Sequence, residues 1–205
     1  WNQFNLNGTT VFRSPEEIWV EGDASSASYF FGAAAIAGKI EVHGINQESI
    51  QGDLKFLDVV RSMGGKVTYL EKSIIVEKSA ELRGLEVDCK MIPDAAMTLA
   101  TMALFCKGTT KLTNIASWKV KETDRIQAMS NELKKLGATV HSTNNTISIT
   151  PPSIIKDHVT IDTYDDHRIA MCFSLISLSE RNVIINNTER VNKTYPNFFK
   201  DFEGV

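Results

Sequence analysis

Three long stretches of the chain are nearly all apolar, and each begins just after an aspartate. The apolar stretches cover residues 24–37, 95–105 and 167–178. A helix that is apolar on every side has to be buried, so we expect three helices in the middle of a domain. The aspartates Asp23, Asp94 and Asp166 are separated by 71 and 72 residues, and such constant spacing indicates an internal repeat.

The residues between the first two apolar stretches supply the rest of one repeat unit. Alternation of apolar and polar residues predicts strands, and Leu54, Leu57, Val60 and Met63 recur at helical spacing. Gly38 follows the first predicted helix, as a helix C-terminus prefers. The predicted elements are a strand at 18–21, a helix at 24–37, a strand at 39–43, a helix at 53–63, and strands at 66–69 and 73–77. The order of elements in the unit is therefore βαβαββ.

The same order recurs in a second unit and begins again in a third. The second unit has a strand at 84–89, a helix at 94–106, a strand at 110–114, a helix at 121–136, and strands at 139–142 and 146–150. The third unit has a strand at 158–163, a helix at 166–178 and a strand at 182–186, and its last two strands are missing. We therefore predict an irregular or edge segment at 1–17 and a single domain at 18–205, with repeats at about 18–80, 81–153 and 154–205.

The composition is that of an ordinary soluble globular protein. Of the 205 residues, 42% are hydrophobic and 23% are charged, and the formal net charge is -3. No basic field argues for binding to nucleic acid or to an anionic membrane, so any anion site must be local. The sequence shows no signal peptide and no run of about 18 apolar residues that could span a membrane.

The cysteines bear on metal binding and on the compartment. Cys89, Cys106 and Cys172 are odd in number and far apart, which fits neither a metal site nor a disulfide framework. Cys106 and Cys172 lie in apolar helical runs, so we expect buried thiols there. Free thiols suit a reducing compartment, and we predict a cytoplasmic protein. The chain begins at Trp1 without an initiator methionine, so we expect it to be a piece of a longer polypeptide.

The first candidate for chemistry lies at residues 120–125, where one lysine, two acids and one arginine are crowded together. Glu122 and Arg125 are three positions apart and would share one face of a helix. A glutamate beside a guanidinium can handle a proton while the guanidinium holds a carboxylate or a phosphate. The alternative is a solvated first turn of a helix, whose acids suit the helix dipole.

The starts of the apolar helices carry the other candidates. Asp94, Asp166, His167 and Arg168 lie at such starts, where backbone N–H groups favour anions. The repeat brings these starts to one end of the domain, with the start of the charged helix beside them. We therefore expect the charged residues to share one rim. The alternative for the aspartates, including Asp23, is that each caps its own helix.

Four segments of the chain, taken in order, match a known family. They read IPDAAMT at 92–98, VKETDR at 120–125, YDDHRIAM at 164–171 and NKTYP at 192–196. Together with VEGDASSASYF at 20–30, these segments resemble the 5-enolpyruvylshikimate-3-phosphate synthase family. The resemblance extends from residue 20 to the C-terminus, and four motifs in order at the family's spacing are highly specific.

The resemblance implies an α+β fold, built as a ring of repeated βαβαββ units. Helices would lie inside and sheets would face solvent, as in an inside-out α/β barrel. The chain would hold three such units, the third incomplete, and would correspond to the C-terminal half of the enzyme. Residues 1–17 would be the interdomain crossover, and the N-terminal end of the full polypeptide would return to complete the third unit.

The chemistry implied by the resemblance is transfer of the enolpyruvyl group of phosphoenolpyruvate to the 5-hydroxyl of shikimate 3-phosphate. Phosphate is released, and the reaction serves aromatic amino-acid biosynthesis without a metal or an organic cofactor. Glu122 would give and take the proton at the methylene carbon. Asp94 would bind the 4- and 5-hydroxyls and accept the 5-hydroxyl proton. Lys193 would be a cation on the phosphate side and an acid for the leaving group.

The other implied roles concern binding. Arg125 and Arg168 would clamp the carboxylate of phosphoenolpyruvate, and Lys121 would touch shikimate 3-phosphate. His167 and Asp166 would contact the substrate-binding residues without touching substrate themselves.

One implied contact departs from the family pattern, and one half of the site lies elsewhere. Ser117 stands where many bacterial members carry an asparagine that contacts substrate, and its hydroxyl has a shorter reach. The family's N-terminal phosphate-binding residues would all precede Trp1. The implied partners are the two substrates and the N-terminal half of the same enzyme, with no nucleic acid and no membrane. The isolated chain should be inactive.

Two alternatives stay open at this point. The sister enolpyruvyl transferase that acts on UDP-N-acetylglucosamine has the same fold, and its distinguishing cysteine lies in the half that is not present here. Small βαβαββ units also occur in non-catalytic domains that bind RNA or phosphate. An acidic chain without interleaved arginine and aromatic residues argues against RNA binding.

Overall fold

The first part of the chain forms one long buried helix and a three-stranded sheet. The computed structural model describes residues 2–9, 11–79 and 81–204. The elements are α1 (Ala24–Ala37), β1 (Lys39–His43), a 3₁₀ turn (Gly52–Lys55), α2 (Phe56–Met63), β2 (Lys66–Tyr69) and β3 (Ser73–Glu77). The strands are antiparallel in the order β1-β3-β2. These elements confirm the predictions for residues 24–77.

The predicted strand at 18–21 is wrong. Ile18, Trp19 and Val20 are 79%, 83% and 83% exposed, and the described residues before α1 contain no helix or strand. The N–H of Gly22 donates to the carbonyl of Gly44 at 2.7 Å, so the chain meets the end of β1 at this point. An apolar run forms a strand only where a sheet buries one of its faces, and here these side chains stay in solvent.

The second part of the chain forms a four-stranded sheet with two helices. Its elements are β4 (Glu86–Asp88), α3 (Ala96–Met102), a 3₁₀ turn (Ala103–Phe105), β5 (Thr110–Thr113), a 3₁₀ turn (Ala116–Val120), α4 (Arg125–Lys135), β6 (Thr139–Ser142) and β7 (Thr146–Thr150). The strand order is β4-β5-β7-β6, with β4 and β5 parallel and the other pairs antiparallel.

The helix predicted from residue 121 begins later than expected. Asp124 is its N-cap, because the Asp124 carboxylate accepts the N–H of Gln127 at 3.1 Å. A capping aspartate takes a non-helical conformation, which fixes the first helical residue as Arg125. Lys121 and Glu122 therefore lie in an irregular segment before α4, so the expectation that Glu122 and Arg125 share a helical face is wrong.

The third part of the chain is shorter. It contains β8 (Val159–Ile161), α5 (His167–Phe173), a 3₁₀ turn (Ser174–Ser179), β9 (Val183–Ile185), a 3₁₀ turn (Thr188–Lys193) and α6 (Phe198–Glu203). β8 and β9 pair in parallel and form a two-stranded sheet. We predicted that the third unit lacks its last two strands. Within the described residues this is confirmed, because β9 is followed by a turn and α6. α6 was not predicted, and it packs Phe198 against Phe30 with ring centroids 5.9 Å apart.

The helices α1, α3 and α5 lie inside and the sheets lie outside. The three helices are buried almost throughout, which confirms the prediction from their apolar sequence. Gly32 lets α1 approach α3, since a Cβ at this position would lie 2.9 Å from Thr98 Cγ2. Near the helix starts, the hydroxyls of Ser28 and Thr98 are 2.8 Å apart. This packing gathers the starts of the three helices at one end of the domain.

Among the described residues, no helix combines the length and the apolar character needed to cross a bilayer.

Candidate active site

Arg125 is the centre of a cluster of charged side chains at the helix starts. Its side chain is only 1% exposed. Its Nε and Nη2 donate to Asp166 at 2.7 and 3.3 Å, its Nη1 donates to Asp94 at 2.8 Å, and its Nη2 donates to Glu122 at 2.8 Å. One buried guanidinium therefore draws together carboxylates that precede α3, α4 and α5.

Asp94 is surrounded by cations. Its Oδ1 lies 2.8 Å from Arg125 Nη1 and 3.6 Å from Lys121 Nζ, and its Oδ2 lies 3.1 Å from Arg168 Nη2. Burial raises the pKa of Asp94, but the charges of Arg168 and Arg125 outweigh burial and hold that pKa below its ordinary value. Asp94 is therefore a carboxylate at neutral pH.

The three aspartates before the apolar helices have different tasks. Asp23 and Asp166 cap their helices, because they accept the N–H groups of Ser25 at 3.0 Å and Arg168 at 2.9 Å. Asp94 makes no such bond, since α3 has Ala95 as its N-cap and no side chain caps it. The capping alternative is confirmed for Asp23 and Asp166 and is wrong for Asp94. The carboxylate of Asp94 instead forms ion pairs with the surrounding cations.

Glu122 stands at the open side of the cluster. Its Oε1 accepts a 2.5 Å hydrogen bond from Lys193 Nζ, and the Lys193 side chain is 59% exposed. Burial raises the pKa of Glu122, but hydrogen bonds from Lys193 and the backbone, and the charge of Arg125, bring that pKa to about 2. Glu122 is therefore ionised at neutral pH and joins the buried guanidinium to an exposed ammonium.

His167 fills the space behind Glu122. The residue is buried, and neither ring nitrogen has a hydrogen-bond partner within the described part of the chain. Its Nδ1 lies 3.9 Å from Glu122 Oε1 and 3.7 Å from Asp166 Oδ1. Burial and the charge of Arg168 lower the pKa of His167, so the ring is neutral at pH 7. His167 therefore lies between two carboxylates of the cluster.

The cluster as a whole has more cations than carboxylates. The cations are Lys121, Arg125, Arg168 and Lys193, and the carboxylates are Asp94, Glu122 and Asp166. Asp53 and Asp23 also lie within electrostatic reach of Arg168. Four cations gathered at one rim nevertheless suit binding of an anion.

Comparison with known proteins assigns the chain to a family. The sequence model of the family described as EPSP synthase (3-phosphoshikimate 1-carboxyvinyltransferase) matches residues 1–202. The chain belongs to the EPSP synthase family.

Curated members of this family are similar along the whole chain. The 3-phosphoshikimate 1-carboxyvinyltransferase of Marinomonas sp. (strain MWYL1) is 53% identical over 100% of this chain and 48% of the relative. The protein of the same name from Tolumonas auensis is 51% identical over 98% of this chain and 47% of the relative. The chain thus spans about half the length of the curated relatives that it matches.

Solved structures agree with this assignment. An EPSP synthase from Acinetobacter baumannii superposes with a TM-score of 0.76 at 29% identity, covering 88% of this chain and 45% of that one. The enolpyruvyl transferase NikO from Streptomyces tendae has a TM-score of 0.69 at 15% identity, covering 90% of this chain and 43% of that one. The second likeness concerns the fold alone. The chain has the inside-out α/β fold of these proteins without forming a closed barrel.

One residue expected in the family's site lies outside the cluster. Ser117 is exposed on the 3₁₀ turn before α4, and among the described residues it makes no hydrogen bond to any member of the cluster. The neighbouring Trp118 is buried and donates from Nε1 to the carbonyl of Pro93 at 2.6 Å, which fixes this turn next to Asp94.

The sequence predictions missed one polar residue that touches the site. Tyr29 lies in the apolar helix α1 and is fully buried, and Arg168 Nη1 donates to its hydroxyl at 3.4 Å. A buried tyrosine hydroxyl usually has a hydrogen-bond partner, so a single tyrosine in an apolar helix is a signal that could have found this contact.

Proposed function

We propose that this chain supplies one half of the active site of an enzyme that makes 5-enolpyruvylshikimate 3-phosphate. The enolpyruvyl group of phosphoenolpyruvate would move to the 5-hydroxyl of shikimate 3-phosphate, and phosphate would leave. The proposal rests on the cluster around Arg125, which holds two carboxylates suited to proton transfer beside cations suited to two anionic substrates. The names of the relatives point to the same reaction.

The carboxylate of phosphoenolpyruvate has a suitable place between Arg125 and Arg168. Asp94 already bridges these two guanidiniums, at 2.8 and 3.1 Å. Four of the five N–H groups of Arg125 are used by protein carboxylates, so the substrate would share this guanidinium with Asp94. Arg168, at the start of α5, would then be the main partner of the substrate carboxylate.

The protonation of Glu122 would change when substrate binds. With a pKa of about 2, Glu122 is a poor proton donor in the free site, partly because Lys193 is bonded to it. The phosphate of phosphoenolpyruvate would compete for Lys193, and loss of that bond raises the pKa of Glu122. Glu122 could then give a proton to the methylene carbon and take it back when phosphate leaves, with Lys193 protonating the leaving group.

Asp94 is suited to accept the proton of the attacking hydroxyl. Its carboxylate is ionised, so it can accept the 5-hydroxyl proton as that oxygen attacks C2 of the enolpyruvyl group. Lys121, at 3.6 Å from Asp94, would face shikimate 3-phosphate. Ser117 would reach this substrate only with its short hydroxyl. Asp166 would act through Arg125, which it fixes with two hydrogen bonds.

The arrangement of the whole protein belongs to the same proposal. Residues 1–17 would be a crossover segment, and residues 18–205 one domain that works against an N-terminal half. That half would supply the remaining contacts to shikimate 3-phosphate, so this chain alone would not turn over. The reaction uses soluble metabolites, and we propose that the enzyme acts in the cytoplasm without nucleic acid.

A joined enzyme tests the proposal. This chain would be fused to the N-terminal half of the Marinomonas relative, and phosphate release from phosphoenolpyruvate would be measured with two acceptors. We expect release with shikimate 3-phosphate and none with UDP-N-acetylglucosamine. Release with the nucleotide sugar alone would support the sister transferase. Release with neither acceptor, together with salt-sensitive RNA retention on filters, would support a binding domain.

A further inference from the structure

Tyr29 is a polar group buried away from the water that surrounds the rest of the site. It lies on α1, in the first part of the chain, and packs edge-on against Phe198 with ring centroids 5.5 Å apart. The residue is fully buried, and burial raises the pKa of its phenol far above the physiological range. Its hydroxyl therefore stays neutral and needs a partner inside the protein.

That partner is Arg168. Arg168 Nη1 donates to the Tyr29 hydroxyl at 3.4 Å, and Arg168 Nη2 lies 3.1 Å from Asp94 Oδ2. The two contacts engage different nitrogens of one guanidinium, so together they restrict its rotation more than either contact alone. Burial lowers the pKa of Arg168, whereas the charge of Asp94 and the hydrogen bond to Tyr29 raise that pKa.

The plane of a guanidinium matters for binding a carboxylate. Two parallel N–H···O bonds form only when the guanidinium and the carboxylate lie close to one plane. Asp94 alone could hold Arg168 in several orientations, because a single ion pair leaves rotation about the contact free. Tyr29 removes that freedom from the buried side and leaves the open side of Arg168 to a ligand.

We propose that Tyr29 is a positioning residue for Arg168 and sets the affinity of the site for the carboxylate of phosphoenolpyruvate. This inference rests on the proposed function, since it assigns the ligand of Arg168. Tyr29 itself is fully buried and does not touch substrate. It acts by fixing the guanidinium before the ligand arrives, which lowers the cost of ordering it on binding.

Kinetics of the joined enzyme give the first test, with Tyr195→Phe as the matched control. Tyr195 also packs against Phe198, with ring centroids 5.7 Å apart, but its hydroxyl bonds to Asp201 at 2.9 Å. Tyr29→Phe should raise the KM for phosphoenolpyruvate about 3- to 10-fold, the effect of one hydrogen bond, with little change in kcat or in the KM for shikimate 3-phosphate. Tyr195→Phe should leave both KM values unchanged.

A double-mutant cycle separates positioning from a general loss of stability. In an Arg168→Ala background, Tyr29→Phe should have no further effect on the KM for phosphoenolpyruvate. Additive effects of the two substitutions, or an unchanged KM in Tyr29→Phe alone, would overturn the inference.

NMR of this chain tests the positioning independently of turnover. The Nη protons of Arg168 should give separate signals from hindered rotation in the wild-type chain and in Tyr195→Phe, and merged signals in Tyr29→Phe. If the joined enzyme were inactive without any substitution, the proposed function would be wrong. The NMR result would still show whether Tyr29 restricts the rotation of the Arg168 guanidinium. Merged Arg168 signals in the wild-type chain would overturn the inference, even if Tyr29→Phe did not fold.

Discussion

Helix α4 carries a buried charged residue near each end, and the two have opposite surroundings. Arg125 at its start binds Asp94, Glu122 and Asp166. Glu132, three residues before its end, is also fully buried. We call the first group the Arg125 cluster. The second, the Glu132 cluster, contains Glu132, Lys135, Asp162 and Tyr164.

The Glu132 cluster contains one cation and two carboxylates, and it reaches the surface through Lys135 and Asp162. Glu132 accepts hydrogen bonds from the hydroxyl of Tyr164 at 2.7 Å and from the N–H of Asp162 at 3.1 Å, and Lys135 Nζ lies 2.7 Å from it. Lys135 in turn bonds to Asp162 at 2.7 Å. These bonds fasten the end of α4 to the chain around β8, and each charge already has its partner.

The Arg125 cluster differs because it contains four cations, whereas the Glu132 cluster contains only Lys135. Lys193 and Lys121 bind its carboxylates from outside, and both are partly exposed. A buried ion pair is by itself weak support for a functional site, since structural pairs are buried as well. Lys135 is as exposed as Lys121, at 36% and 34%, so both clusters have an exposed cation. The comparison teaches that several cations gathered around a buried network, rather than burial of charge, mark the site.

The largest expected effect concerns turnover. In the joined enzyme, Glu122→Gln should lower kcat about 10²–10⁴-fold, because the amide cannot exchange the methylene proton. Glu132→Gln, the same change in the other cluster, should leave kcat within a factor of two. Phosphate release under saturating substrates measures both. Near-full turnover in Glu122→Gln would show that the assigned role is wrong.

A smaller effect is expected on stability. Arg125→Ala leaves three carboxylates around a buried gap, and we expect the free energy of unfolding to fall by about 3–5 kcal/mol. Lys135→Ala leaves Glu132 with its bonds from Tyr164 and Asp162, so the loss should be about 1–3 kcal/mol. Urea denaturation of this chain measures both values. A greater loss of unfolding free energy in Lys135→Ala than in Arg125→Ala would contradict the prediction that the Arg125 cluster contributes more to stability.

The smallest expected effect is on the stability of the fold at acidic pH. The pKa of Glu122 in the folded chain, about 2, lies below its unfolded value of 4.5. A lowered pKa contributes stability above the unfolded value, and that contribution is lost as pH falls from about 4.5 towards 2. Lys193→Ala should raise the pKa of Glu122 and reduce this acid-sensitive contribution, while costing at most about 1 kcal/mol at neutral pH. Lys135→Ala should not move the pKa of Glu122, which NMR titration can follow.

Most of the fold could be predicted because its signals are local. The apolar run of α1 and the spacing of Asp23, Asp94 and Asp166 located the buried helices. The strand predicted at 18–21 failed because strand formation depends on a neighbouring sheet, which a local pattern does not contain. α6 was missed because Phe198 is held by aromatic rings from α1, far away in the sequence.

Sequence motifs could predict which residues form the candidate site but not how these residues contact one another. Motifs named the charged residues, and the helix starts predicted one rim. They did not predict that Asp94 would leave its helix uncapped or that Arg125 would be buried among three carboxylates. The contact between Tyr29 and Arg168 joins residues 139 positions apart, so no local pattern could specify that pairing.

The most direct test of the account is phosphate release by this chain alone and with an N-terminal half added in trans. The account holds that the Arg125 cluster is one half of a site that closes around two substrates. We predict no measurable release from phosphoenolpyruvate and shikimate 3-phosphate by the chain alone. Release should return when the N-terminal half of the Marinomonas relative is added, and it should be lost in Glu122→Gln. Robust turnover by the chain alone, or restored turnover that survives Glu122→Gln, would contradict the account.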